Sequence, residues 1–323
     1  MNAMRRREFI ALLGGAAAAW PHTARAQQAA RVATVGFLNF ENPEPIRALI
    51  TEGLRDLGYV EGRNIRYEYR SAEGNRDRLA GFAAEFIRLK VDVIVAYPTP
   101  AVLATMQATK AIPIVLAGAG DPVGTGFIAS LARPGGNVTG TSSTAAELGP
   151  KTLEVIRDIM PSVRRVAVLA NAHDPFSKSF LEQMQIGGQT LRIEHQTITI
   201  RAPEELEPAF ASMKKDGLEA VVLQPSLPRR RIAELALQHR VPSISPTGAF
   251  AAEGGLAAYA ASRTEMARKT AGYIDRILKG SKPADLPVEQ PTKFELVINL
   301  KTAKAIGIDV PAPVLNRADE VIE

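Results

Sequence analysis

Beyond residue 31 the chain alternates short apolar runs with amphipathic segments, and it does so twice in series. That alternation confines it to an α/β architecture, with helices wrapped on parallel sheets. In the first series strands are expected at 32–38, 65–69, 91–96 and 112–117, and helices at 46–57, 79–89 and 101–108. Apolar residues at helical spacing mark the helices, and Gly58 supplies the usual left-handed stop after the first of them. The stretch Ala132-Arg133-Pro134-Gly135-Gly136-Asn137-Val138-Thr139-Gly140 is too rich in turn formers for a helix interior and reads as the first crossing between two lobes. The second series has helices at 151–159, 176–189, 203–215 and 229–238, with strands at 163–170, 193–200, 220–223 and 242–245. A helix at 264–278, a break at 280–287, an apolar run at 294–300 and a short helix at 302–306 complete the chain.

Two such units enclose a cleft, and ligands on open α/β sheets bind beyond the carboxyl ends of the strands. The length of 323 residues, with 46% hydrophobic and 23% charged residues, is enough for two packed cores. The net charge of +5 is local. Arg5, Arg6, Arg7 and Arg25 against Glu8 place +3 of it in the first 26 residues, and the remainder is nearly balanced. A balanced chain is not steered to phosphate backbones, so nucleic acid is set aside as a partner. The absence of cysteine excludes disulfides, thiolate metal sites, a catalytic thiol and a lipidated amino-terminal Cys.

The first 26 residues read as an address. Arg5-Arg6-Arg7 is followed by a Gly- and Ala-rich apolar stretch from Phe9 to Trp20 and by the small-residue stop Ala24-Arg25-Ala26. The stretch is too short to span a bilayer core of ~30 Å. Residues 1–26 are therefore expected to be a signal peptide cleaved after Ala26. Arg6-Arg7-Glu8-Phe9-Ile10 resembles the twin-arginine export motif, the alternative being a general secretory signal. Trp20 is the only tryptophan, so the exported chain has none.

Catalytic motifs are lacking. No HExxH, no Gly-x-Ser-x-Gly elbow and no Gly-x-x-x-x-Gly-Lys-Ser/Thr loop occurs, and Gly118-Ala119-Gly120 lacks the third glycine of a dinucleotide loop, since position 123 is Val. A binding protein without cofactor or metal is expected. An exported hydrolase using scattered acids and a sensory ligand-binding protein of the same fold are the alternatives.

Four stretches are distinctive: Ile112-Pro113-Ile114-Val115, Gly120-Asp121-Pro122-Val123-Gly124, the run from Leu131 to Gly140, and Leu286-Pro287-Val288-Glu289-Gln290-Pro291-Thr292-Lys293-Phe294-Glu295-Leu296-Val297-Ile298-Asn299-Leu300-Lys301-Thr302-Ala303. Through them the chain, from about residue 31 to 323, resembles the periplasmic substrate-binding proteins of ATP-driven (ABC) importers, in the family that includes tryptophan- and tyrosine-binding members. The resemblance implies a type I periplasmic-binding-protein fold, with two Rossmann-like lobes joined by a three-crossing hinge. Lobe 1 would comprise 31–140 plus 262–285, and lobe 2 would comprise 141–261 plus 286–323. It further implies a periplasmic monomer that captures a small molecule by closure and passes it to permease and ATPase subunits. The chain departs from the family pattern in its short loop at 224–231, in Tyr259-Ala260 where Tyr-Gly is usual, and in Glu265-Met266-Ala267 where Asp-Leu-Tyr is usual.

Candidate ligand residues follow from position at strand ends. Thr99 suits an N-cap, with Pro100 at the first helical position, so that Thr99 and Ala101 would offer N–H groups and helix dipole to a carboxylate. The plainer reading is that Thr99 only caps its helix. Asn39, Phe40 and Glu41 would receive the apolar and ammonium ends of an amino-acid-like ligand, Tyr97 would stack on a ring, and Asp121 would bind an ammonium group or start a turn. In the second lobe the candidates are Asn171, Asp174, Gln224, Ser226, Thr247, Phe250 and Tyr259, with Gly248 beside Thr247.

Overall fold

The computed structural model describes residues 32–41 and 44–323. The expected signal peptide lies outside them. The first sheet is parallel throughout, in the order β2 (Ile65–Ser71), β1 (Ala33–Asn39), β3 (Val93–Tyr97), β4 (Ile114–Ala119), β5 (Val138–Ser142). Helices α1 (Glu44–Asp56) and α8 (Arg263–Leu278) cover one face, where Ile50, Leu54, Ala271 and Ile274 pack on Val35, Phe37 and Val95. Helices α2 (Asp77–Arg88) and α3 (Thr99–Ala108) cover the other, with Phe86, Ala101 and Val102 against Leu38, Ile94 and Leu116. Gly36 lets α2 approach closely, because a Cβ there would meet the Phe86 ring at 3.0 Å.

The second sheet runs β12 (Glu320–Ile322), β11 (Phe294–Asn299), β10 (Ala257–Ala261), β9 (Ser243–Ser245), β8 (Ala220–Leu223), β6 (Arg165–Asn171), β7 (Glu194–Ile200). Its pairs are parallel except β10 with β11. Strand β11 enters from the first lobe rather than through a helical crossover, which frees it from the parallel constraint. Helices α4 (Gly149–Ile159) and α5 (Ser177–Leu191), with the carboxyl-terminal α9 (Leu300–Ile306) and α10 (Ala312–Leu315), pack on one face. Helices α6 (Leu206–Lys215) and α7 (Arg229–His239) pack on the other.

The turn-rich stretch before residue 140 is not all connection. Val138 to Ser142 form β5, paired with β4 through Thr141 and Ser142, so the strand carries the first sheet two residues past Gly140. Gly140, at φ +128, is what admits it: a Cβ there would lie 2.5 Å from the Leu116 backbone. The expected helix at 203–215 is a 3-10 turn, Pro203–Glu205, followed by α6.

The chain crosses between the sheets three times, after β5, between β10 and α8, and at residues 286–294. The crossings are tied to one another. Ser142 N–H donates to the Glu289 carbonyl, Glu289 N–H to Gly140, and Ser262 N–H to Lys293. Thr139 and Tyr273 hydroxyls donate to the Leu286 and Pro287 carbonyls. None of the described helices is long and apolar enough to cross a membrane.

Candidate functional site

The carboxyl ends of both sheets face one cleft. Its principal cavity encloses about 850 Å³, counting the part open to solvent. The apolar wall comes from Ile46, Tyr97, Pro98, Phe176, Pro246 and Met266, and hydroxyls come from Thr99, Ser143, Ser226 and Thr247. Two acidic and two basic side chains line it: Asp174, Glu253, Arg229 and Arg263. The floor is built small. At Gly120 a Cβ would lie 2.7 Å from the Phe176 ring, so the two lobes touch there with backbone against aromatic face.

Asp174 is 4% exposed. Its Oδ1 accepts the Phe176 N–H at 2.9 Å, its Oδ2 accepts Gln224 Nε2 at 2.9 Å, and the Ser226 hydroxyl also donates to it. No Lys, Arg or His pairs with it among the described residues. Burial pushes its carboxyl up to about 6, ahead of the lowering by these hydrogen bonds. Gln224, fully buried, is held in turn, since its Oε1 accepts from Asn171 N–H and Ser177 Oγ at 2.8 Å each. Asn171 Nδ2 reaches Ser226 Oγ at 3.3 Å. This network fixes the carboxylate without neutralising it.

Arg263 opens α8 directly after the Ser262 N-cap. It is half-buried against the cavity and has no carboxylate partner among the described residues. Thr99, 2% exposed, also lines the cavity, and its hydroxyl has no protein partner among the described residues. Among the described residues, an unpaired buried carboxylate that shares a cavity with an unpaired guanidinium and an unbonded hydroxyl, between apolar walls, is chemistry suited to a zwitterion with an apolar side chain.

Arg229 has the opposite arrangement. Its side chain, 5% exposed, meets Glu253 through Nε at 2.9 Å and Nη2 at 3.1 Å, and meets Glu41 of the other lobe through Nη1 at 2.8 Å. Burial raises Glu41 to about 7, outweighing the attraction of Arg229.

The structure thus brings Tyr97, Thr99, Asp174, Ser226 and Thr247 together on the cavity wall. Phe40 and Asn171 line a second, outer cavity instead, and Asn39 is buried at the end of β1. Glu41 is engaged by Arg229. Ala101 donates its N–H to the Pro98 carbonyl, and the helix begins at Thr99 with Pro98 as its N-cap, so Thr99 is not the cap. Asp121 accepts the Gly124 N–H at 2.8 Å within a turn and does not line the cavity. Phe250 is fully buried in the second lobe's core, and Tyr259 stacks on Phe294 away from the cleft. Sequence reasoning missed Arg229, Glu253, Arg263, Phe176 and Met266. An Arg just after a Ser cap on a returning helix was the available signal for Arg263.

Two lobes of this topology, joined by three crossings around a cleft, have the type I periplasmic-binding-protein fold. The chain belongs to the ABC transporter substrate-binding protein family, whose model matches residues 31–322. It is 28% identical over 262 residues to the tyrosine-binding protein of Clostridioides difficile strain R20291, covering 80% of this chain and 75% of that one. Among solved structures it is similar to a conserved domain protein of Vibrio cholerae, at 26% identity and TM-score 0.83 over 90% of this chain and 100% of that one. It is also similar to an ABC domain of Streptococcus pneumonia in complex with L-Trp, at 26% identity and TM-score 0.81 over the same shares. Proteins of this family bind small molecules, work with ABC transporter components and are generally extracytoplasmic.

Proposed function

We propose that this chain is the solute-receptor subunit of an ABC importer and that its cargo is a free amino acid with an aromatic or large apolar side chain. The observation that carries the reading is the pairing of opposites in one cavity: among the described residues, Asp174 is buried without a cation and Arg263 stands without an anion. An ammonium group on Asp174 and a carboxylate on Arg263 and Thr99 would satisfy both, and Tyr97, Phe176 and Met266 would hold the side chain. The named ligands of the two relatives, tyrosine and L-Trp, have this form. Export with cleavage after Ala26, a monomeric state and delivery to permease and ATPase subunits complete the proposal.

The test is a thermal-shift and calorimetric panel on the chain beginning at Gln27. L-Tyrosine, L-tryptophan, L-phenylalanine and L-leucine are set against the matching amines and the matching deaminated acids. At ~100 times the dissociation constant a ligand adds ~2.7 kcal/mol, a shift of several degrees. The amino acids are expected to stabilise the chain and both sets of analogues to fail. Equal response to the deaminated acids would remove Asp174 from the reading.

A further inference from the structure

The ion cluster at the cleft is unevenly composed. Arg229 and Glu253 neutralise each other inside the second lobe through two hydrogen bonds. Glu41 stands just after β1 of the first lobe, so it joins this pair only when the lobes meet. There it contacts Arg229 Nη1 at 2.8 Å and accepts the main-chain N–H of Arg229 in the first turn of α7. The side chains of Glu41 and Glu253 are each 15% exposed. Closure therefore withdraws from water a second carboxylate for a guanidinium that is already matched.

The other charges facing this cluster do not correct the count. Asp174, from the loop after β6, carries the same sign. Arg263 of α8 carries the opposite sign but lies toward the hinge end of the cavity, beside Gly248, and does not contact Glu41. Tyr97 of β3 is a neutral phenol whose ionisation burial suppresses. Arg231 pairs with Glu207 on the outer face of α7. Burial in this position shifts the carboxyl toward its protonated form, because removing an ion from water costs more than a shared partner returns.

We propose that closing the cleft draws one proton from solvent onto Glu41, so that ligand capture by this chain is proton-coupled. The inference rests on the binding reading above. In the separated lobes Glu41 is solvated and holds the ordinary carboxylate value of ~4.3, whereas burial in the closed form raises it to about 7. The closed form binds the proton and the open form does not. Through this group affinity falls as pH rises from the open-form value toward about 7 and levels off above it.

The experiment is calorimetric titration with L-tyrosine and L-tryptophan at pH 6, 7 and 8, each in two buffers of different protonation enthalpy. Nearly one proton should be taken up per ligand at pH 6, about half at pH 7 and almost none at pH 8, with Kd rising by about tenfold in all between pH 6 and 8 and levelling off above that. Glu41→Gln should abolish the uptake and bind with a Kd that no longer rises between pH 6 and pH 8. Glu253→Gln should also abolish it, by leaving one carboxylate per guanidinium. Heats equal in both buffers for wild type, or uptake persisting in Glu41→Gln, would overturn the proposal. If neither amino acid binds, the cargo assignment has failed, and closure is then read directly in the ligand-free chain. The sequence has no cysteine, so labels at Ala80→Cys and Lys214→Cys, on exposed helix positions of the two lobes, report interlobe distance. A larger closed fraction at pH 6 than at pH 8, abolished by Glu41→Gln, supports the coupling; identical distributions overturn it.

Discussion

At the scale of single residues, the site is a set of charges left deliberately incomplete by their neighbours. Asp174 is held by three hydrogen bonds yet unneutralised, so in the empty protein its charge is a burden on folding. Asp174→Asn is therefore expected to raise the melting temperature at pH 7 while weakening amino-acid binding at least tenfold, as checked by calorimetry. A lower melting temperature with unchanged affinity would make Asp174 a structural residue. The same carboxyl, raised to about 6 by burial, sets an acid limit on binding: below that value the proton displaces the ammonium, and affinity falls. Arg263 supplies the complementary test. Arg263→Ala should weaken binding of the amino acid by about tenfold to a hundredfold, the usual range for losing a charge-assisted hydrogen bond of ~1.5–3 kcal/mol. Its melting temperature should stay within about a degree, because no described side chain pairs with it. Equal affinities in Arg263→Ala and wild type would locate the carboxylate elsewhere.

At the scale of elements, strand ends and glycines decide what can touch across the cleft. The meeting of Gly120 with Phe176 leaves no room for a methyl group, so Gly120→Ala should hold the lobes apart. Weaker ligand binding with little loss of stability is the expected outcome, and undiminished affinity would show that the ring moves aside. This level was the most legible in the sequence. Apolar runs of four to seven residues flanked by amphipathic segments located the strands, and the rule that ligands sit beyond strand ends pointed to the loops of Tyr97, Thr99, Asp174, Ser226 and Thr247. What periodicity missed has a physical reason in each case. Strand β5 hides among glycines because one of them, Gly140, is required by its close approach to Leu116, and a glycine-rich strand looks like a turn. Arg229 opens the run Arg229-Arg230-Arg231, which reads as a solvated face, and only closure of the lobes aligns the first of the three with Glu41. Phe250 followed a strand as the others did, but its segment folds back over the sheet and takes the ring into the core.

At the scale of the whole molecule, closure requires a hinge that bends without letting the lobes slip, and two of the three crossings are locked for that purpose by one carboxylate. Glu265, in the first turn of α8, accepts Thr292 Oγ1 at 2.7 Å, Thr292 N–H at 3.2 Å and Lys293 N–H at 2.9 Å, and pairs with Lys269 at 3.0 Å. It thereby binds the second crossing to the third. Partial burial opposes its ionisation, but the hydrogen bonds from Thr292, Lys269 and Lys293 prevail and hold it down at about 2. A depressed carboxylate gives stability that is present above its unfolded value, ~4.3, and is lost as pH falls through about 2. Glu265→Ala should accordingly lower stability by about 2 kcal/mol at pH 7, the scale of a few hydrogen bonds to a charged group less their exposure to water. Scanning calorimetry should show a melting temperature lower by several degrees at pH 7 and a gap from wild type that narrows toward pH 2. Because the same contacts transmit strain between the lobes, the single transition of the wild type should broaden or split in the variant as each lobe melts on its own. A variant that melts as one sharp transition with an undiminished gap at pH 2 would show that the lobes are coupled through the backbone ties at Ser142, Glu289 and Ser262 rather than through Glu265.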